Sequence, residues 1–369
     1  MTDQTASTPL VTPSPNGFLG MLARRSEAVI LPLAALLVGF AVFSIFLLLQ
    51  GKSPTEFFAL TYRAGFGTAF SWQNTLSRTA PLLFAALCVA LPARLGLVVI
   101  GGEGAIVLGG VAAGAMGALL AQSSGLIAVP MMVASAMIVG GLWIGSVGAL
   151  RYYRGVNETI ASLLMAYIAI ALMNHLVEGP LRDPASLNKP STAPLADNLR
   201  VGDIPGWEVH WGLAFAVLCC VLAWVLIEKT TWGFAARIAG GNMRAAQVQG
   251  LPVGRLIVGF TALGGALAGL AGYFEVTAVH GAANASLATG YGYTGILIAF
   301  LARHNPLAII PVAILLAGFE ASSGLIQRRM DLPDATTLVL QGFVFISILM
   351  SDTLYGRFKV FAPERWRSA

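Results

Sequence analysis

Long apolar runs separated by short polar breaks dominate the chain. Runs at 28–49, 95–121, 126–150, 159–177, 210–227 and 257–277 are each close to the length that carries a helix across a bilayer, about 20 residues. Shorter or broken runs at 80–92, 288–302, 307–325 and 335–351 bring the crossings to ten. The long polar segments are a semi-polar stretch at 51–78, a Pro-, Asp- and Asn-rich loop at 178–209, and a segment at 231–251. This pattern predicts an all-α polytopic membrane protein of about ten transmembrane helices. Its central helices are broken by glycines, and the two halves are expected to form inverted-type repeats.

Composition agrees with that class. Hydrophobic residues make up 57%, charged residues only 11%, and mean hydropathy is +0.77, far from the range of soluble domains. Cys88, Cys219 and Cys220 all lie in apolar runs, which predicts neither a disulfide nor a metal site. The net charge of +5 is scattered over loops, so it argues against a nucleic-acid surface. Placing both ends in the cytoplasm puts 14 of the 22 Lys and Arg residues on that side, the expected bias. Arg328 and Arg329 are an awkward pair on the other side. The expected organisation is a disordered cytoplasmic tail at 1–25, a transmembrane domain at 26–354 and a second cytoplasmic tail at 355–369. Within the domain, 178–209 is read as an outside loop and 228–255 as a cytoplasmic loop.

Small residues at spacing four, Gly110 and Gly114, Gly141 and Gly145, Gly265 and Gly269, predict close helix packing. Two other glycine clusters, Gly101–Gly104 and Gly290–Gly295, would break helices at membrane depth, where freed backbone groups must face protein or a cavity. Paired breaks in the two halves point to a solute path lined by Gly102, Glu103, Gly104, Asn284, Tyr291 and Tyr293, the tyrosines being able to stack on a planar base. Glu103 has a second reading, capping a loop near the cytoplasmic surface, because Arg94 precedes it closely. Glu275 and Glu320 lie nearer span ends, where snorkelling or interfacial water would suffice. His175 reads as an interfacial histidine. Gly290–Gly295 matches a dinucleotide-binding pattern in form only, since it has no preceding strand, and no phosphate-binding G-x-x-x-x-G-K-[ST] occurs. The chain therefore does not look able to hydrolyse ATP by itself.

The 231–251 segment carries Arg237 and Arg244 between two spans, so it lies at one membrane face. Its centre, from Asn242, predicts a helix of about two turns bounded by Gly240 and Gly250, glycines that permit tight turns. Ala245, Ala246 and Val248 would offer a small apolar face to a partner groove, with the two arginines meeting acidic groups around it.

Gly101-Gly-Glu-Gly104, then Gly155-Val-Asn-Glu-Thr-Ile160, then Trp232-Gly-Phe with Arg237, Gly240-Gly-Asn242, Ala245-Ala246 and Gly250, resemble the permease subunits of bacterial ABC importers of the sugar and nucleoside branch. Within it the chain is similar to the longer, nucleoside-type permeases, from about residue 75 to 352. The resemblance implies import of a nucleoside or nucleobase-like solute across the bacterial inner membrane. It also implies ATPase subunits that hold ATP and Mg, a second and shorter permease completing a heterodimer, and a periplasmic or lipoprotein solute-binding protein. No cofactor is expected on this chain. Two positions depart from the family pattern: Val99 and Ala166 stand where asparagines are expected. If those amides normally meet a polar solute, the path here is less polar. A sugar-type permease and an ion-coupled carrier using Glu103, Glu275 or Glu320 are the alternative readings.

Overall fold

The computed structural model describes residues 16–186 and 189–354. Among these residues it is helical, with α1 (Asn16–Leu49), α2 (Pro54–Gly65), α3 (Ala69–Ala93), α4 (Gly102–Leu119), α5 (Gly125–Arg154), α6 (Glu158–Glu178) and α7 (Gly212–Lys229). Two short helices follow, α8 (Thr231–Gly241) and α9 (Met243–Val248). The chain then forms α10 (Val253–Phe274), α11 (Tyr291–Leu301), α12 (Pro306–Met330) and α13 (Ala335–Leu354). α10 runs on into a π-helical turn, Glu275–His280.

Every apolar run identified from the sequence carries a helix. Seven helices are long and apolar enough to cross a bilayer, or eight if α1 and α2 are one broken span, among the described residues. The count of ten depends on shorter pieces. α11 has 11 residues, which at about 1.5 Å per residue covers roughly half of a ~30 Å hydrocarbon core. α1 begins at Asn16, so residues 16–25 are helical rather than part of a disordered tail. Residues 1–15 and the tail at 355–369 lie outside the described residues.

The chain divides into two compact units. In one, α1 pairs with the larger part of α13: a side chain at Gly39 would meet the Val344 backbone at 2.8 Å, and the Phe43 and Phe46 rings pack on Phe343. The other unit, Thr55–Thr337, holds the remaining helices. Its centre is α3, α4 and α10, whose spans are 72–78% buried, and its rim is α5, α6 and α7 at 28–33%. Exposed leucines on the rim, such as Leu142 of α5 and Leu218 of α7, suit lipid.

α3 starts eleven residues before the run that revealed it, and its polar outer half is absorbed locally. Thr68 caps it by accepting from Ser71 N–H at 3.0 Å, Ser71 donates to the Arg63 carbonyl at 2.9 Å, and Thr75 to that of Gly65 at 2.8 Å. Two of the three glycine pairs pack helix on helix, while Gly114 faces the loop residues Ala283 and Thr192. A Cβ on Gly265 or Gly269 would collide with backbone of Gly140 or Ala136 in α5, and Gly141 and Gly145 face Ala262 at 3.1 Å. Close backbone approach of this kind replaces the hydrophobic drive that lipid removes.

The long loop after α6 is held down. Thr192 and Leu195 N–H donate to the carbonyls of Ala283 and Gly281, and Val201 N–H to that of Thr277. His210, 5% exposed, accepts from Gly212 N–H on Nδ1 at 3.1 Å and faces the Ser77 carbonyl with Nε2 at 3.2 Å. This geometry suits a neutral ring, and burial lowers the His210 pKa from its ordinary value.

Candidate functional site

The two glycine-rich breaks meet. After α3 the chain runs without helix through Leu97–Ile100, and α4 starts at Gly102. A Cβ on Gly101 would collide with the Ser162 carbonyl, and one on Gly104 would sit 3.0 Å from Ala166 Cα and 2.9 Å from Ala169 Cβ. Those residues lie in the first half and middle of α6, so the start of α4 is well inside the membrane. The Ser162 hydroxyl accepts from Ile100 N–H at 3.0 Å and so satisfies one backbone group exposed by the break.

From there Glu103 reaches across to the second break. Its Oε1 accepts from Gly290 N–H at 2.7 Å and its Oε2 from Gly292 N–H at 2.6 Å. Gly290, at φ +90°, is the left-handed residue that turns the chain into α11. Gly292 permits the approach, since a Cβ there would collide with the Glu103 backbone nitrogen. Glu103 is therefore 1% exposed and caps the start of α11, where a carboxylate also meets the positive end of the helix dipole. Its loop-capping role holds, but at the α11 start inside the membrane and not at a cytoplasmic surface.

Gly102, Gly104 and Tyr291 are buried with Glu103, while Tyr293 is 38% exposed. Asn284 is used elsewhere: its Oδ1 accepts from Ser286 N–H at 2.9 Å and its backbone pairs with Ser191 of the long loop. Glu275 is not solvated at a span end. It is buried at the start of the π turn, 3.6 Å from His280. Glu320 lies within α12 and accepts from the Thr294 hydroxyl of α11 at 3.0 Å. His175 is exposed in the last turn of α6. Val99 and Ala166 are both fully buried, so neither position contributes to an exposed surface.

The second motif closes the α5–α6 turn. Gly155 (φ +67°) ends α5, Asn157 caps α6 by accepting from Ile160 N–H at 3.1 Å, and Glu158 pairs with Arg151 at 3.2 Å.

In the segment between α7 and α10, Thr230 caps α8 and Asn242 caps α9, the latter accepting from Ala245 N–H at 3.0 Å. Gly240 lies in the last turn of α8, and its lack of a side chain serves close approach to the Arg94 carbonyl instead of a turn. Gly250, at φ +81°, makes the turn. Ala246 is fully buried within the chain, whereas Ala245 is exposed and Val248 is 90% exposed, so the outward apolar group of α9 is Val248. Arg244 is exposed, but Arg237 is engaged with Glu228 at 2.8 Å. Glu228 also lies 3.8 Å from Arg94, whose guanidinium donates to the His304 carbonyl at 3.2 Å. Burial lowers the Arg94 pKa and Glu228 pushes it back up. This knot joins the ends of α3, α7 and α8 to the α11–α12 loop. Sequence reasoning missed it; its trace is the Glu228-Lys229 pair where an apolar run stops.

The guanosine ABC transporter permease protein NupP of Bacillus subtilis is 30% identical over 346 residues, covering 89% of this chain and 95% of that protein. The glucose ABC transporter permease protein TsgB13 of Haloferax volcanii is 29% identical over 340 residues, 89% of each chain. The nucleoside ABC transporter permease protein NupB of Lactococcus lactis is 22% identical over 330 residues, covering 87% and 91%. Residues 71–349 match the family described as branched-chain amino acid transport system / permease component. The chain belongs to that family of permeases, non-enzymatic membrane subunits that work with a separate ATPase and a solute-binding protein.

Proposed function

We propose that this chain is a permease subunit of an importer for nucleosides or nucleobase-like solutes, working as a heterodimer with a second permease. The observation that carries the reading is the meeting of the two broken segments, Glu103 on Gly290 and Gly292, inside the membrane. Helix starts that converge there, with a partly exposed tyrosine beside them, suit a solute path. We take α4 and α11 to hold corresponding places in two inverted half repeats. Similarity to permeases named for guanosine and nucleosides favours a nucleoside, and the glucose permease at 29% identity favours a sugar as the second reading.

In this reading both ends and 228–255 are cytoplasmic and 178–209 faces outward. The ATPase pushes on Arg244 and Val248 of α9, and Gly240 and the Glu228 knot pass the displacement to α3 and the α11–α12 loop. From that loop it travels along α11 to Glu103. Uptake by the assembled transporter in proteoliposomes tests this. Accumulation of labelled guanosine that needs ATP and survives an uncoupler is expected. Uptake of glucose alone would select the sugar reading, and collapse with an uncoupler at constant ATP would select an ion-coupled carrier. Reporter fusions after Lys229 and Arg367 should both report cytoplasm.

A further inference from the structure

α6 has two faces. Ser162, Ala166, Ala169, Met173 and Val177 are buried, the first three against Gly101 and Gly104 at the start of α4. Ile160, Leu164, Tyr167 and Ile168 point outward at 56–60% exposure. Tyr167 is the polar member of that stripe, and it sits about 14 Å along α6, close to the middle of the ~30 Å hydrocarbon core.

A tyrosine is out of place there if its neighbour is lipid. Tyr side chains favour the two membrane interfaces, where the ring is in hydrocarbon and the hydroxyl is wet. Tyr167 and Tyr293 have no hydrogen bond from their hydroxyls among the described residues. A bare hydroxyl at mid-depth is costly in lipid but not beside a polar solute or water. Tyr293 stands in the first turn of α11; its neighbour Gly292 lies against Glu103, and Ala166, the neighbour of Tyr167, lies against Gly104, so both tyrosines flank the start of α4. The α4 start explains the proximity: Gly101 and Gly104 hold α6 on one flank, and Glu103 holds α11 on the other.

We propose that Tyr167 of α6 and Tyr293 of α11 form an aromatic clamp for the planar base of the transported solute, with Tyr167 as a further specificity-determining residue. The inference rests on the nucleoside reading above. Ring faces give sequence-tolerant stacking, as in base-stacking sites generally, and the two hydroxyls can bond to a base edge or to ribose. The Glu103 carboxylate takes up the free N–H groups at the start of α11, so the clamp is built for a neutral nucleoside and disfavours a phosphorylated one.

The test uses the assembled transporter in proteoliposomes. Tyr167→Ala should lower guanosine uptake about tenfold and Tyr167→Phe, which keeps the ring, by only about twofold. Tyr167→Ala should still co-purify with the ATPase, because the side chain is 59% exposed and the buried face of α6 is left intact. In a background with Cys88, Cys219 and Cys220 replaced, Tyr167→Cys should react with a membrane-impermeant methanethiosulfonate, and guanosine should slow the reaction. A thiol that stays unlabelled would place position 167 against lipid or a neighbouring helix and overturn the clamp, as would wild-type uptake by Tyr167→Ala. Import of glucose but not guanosine by the unsubstituted complex would instead remove the solute reading, and with it the need for a base clamp.

Discussion

Two polar junctions tie this permease together, and they are built on opposite principles. Inside the membrane, Glu103 is 1% exposed and spends both oxygens on backbone N–H groups at 2.6 and 2.7 Å, with glycines removing every side chain that could intervene. At the ends of α3 and α7, against α8, the Arg94, Glu228 and Arg237 side chains are 24–55% exposed, and one of the contacts is 3.8 Å long. Hydrogen bonds to a buried charge contribute roughly 1.5–3 kcal/mol each. Exposed ion pairs contribute about 0.2–1 kcal/mol and weaken with salt. The first junction is thus a fixed point between α4 and α11, and the second can rearrange at little cost. The coupling proposed above needs one of each.

The largest effect should come from filling the inner junction. Gly292→Val places a branched side chain where the Glu103 backbone already stands, and loss of correctly assembled protein in the membrane fraction is expected. Folded, monodisperse Gly292→Val protein would show that the α4–α11 approach is looser than described. Next comes Glu103→Gln, which turns one acceptor into a donor facing an N–H. A loss of about 2–3 kcal/mol is expected, read as a lower melting temperature of the purified complex.

Val248→Asp should leave the permease in the membrane but abolish co-purification of the ATPase. Ala246→Asp would disturb the chain's own packing as well and cannot separate the two roles. Glu228→Gln should cost about 1 kcal/mol or less and lower uptake modestly, with a difference from wild type that shrinks at high salt. The smallest effect is the pH dependence from His210. Its folded pKa is depressed by burial, so its contribution is complete above the unfolded value of about 6.5 and is lost as pH falls below it. His210→Gln should flatten the acid side of the stability profile, and an unchanged profile would remove this role.

Much of this was legible from residue pattern. Apolar runs located the helices because lipid enforces them, and the breaks at Gly101–Gly104 and Gly290–Gly295 located the inner junction. The partner of Glu103 was not legible, since a bond from residue 103 to residues 290 and 292 depends on how α4 and α11 pack. The start of α3 was hidden for a different reason. Ser71, Gln73, Asn74, Ser77 and Arg78 belong to the semi-polar stretch, yet they continue a helix: Ser71 donates to the Arg63 carbonyl, Ser77 to the Glu208 carbonyl of the long loop, and Arg78 to the Asn74 amide oxygen. Ala246 was assigned to the partner face because composition cannot tell which side of a two-turn helix points inward. Tyr167 escaped notice beside Ala166, where an expected asparagine was missing.

The central claim is that the α4–α11 junction borders the solute path and responds to the coupling segment. Tyr293→Cys, in a background with Cys88, Cys219 and Cys220 replaced, can be alkylated by a membrane-impermeant thiol reagent in the complete transporter. The account predicts reaction in the resting complex, slowing by guanosine, and a clear change in rate when the ATPase is trapped in its ATP-bound state. A rate indifferent to both guanosine and nucleotide would contradict it.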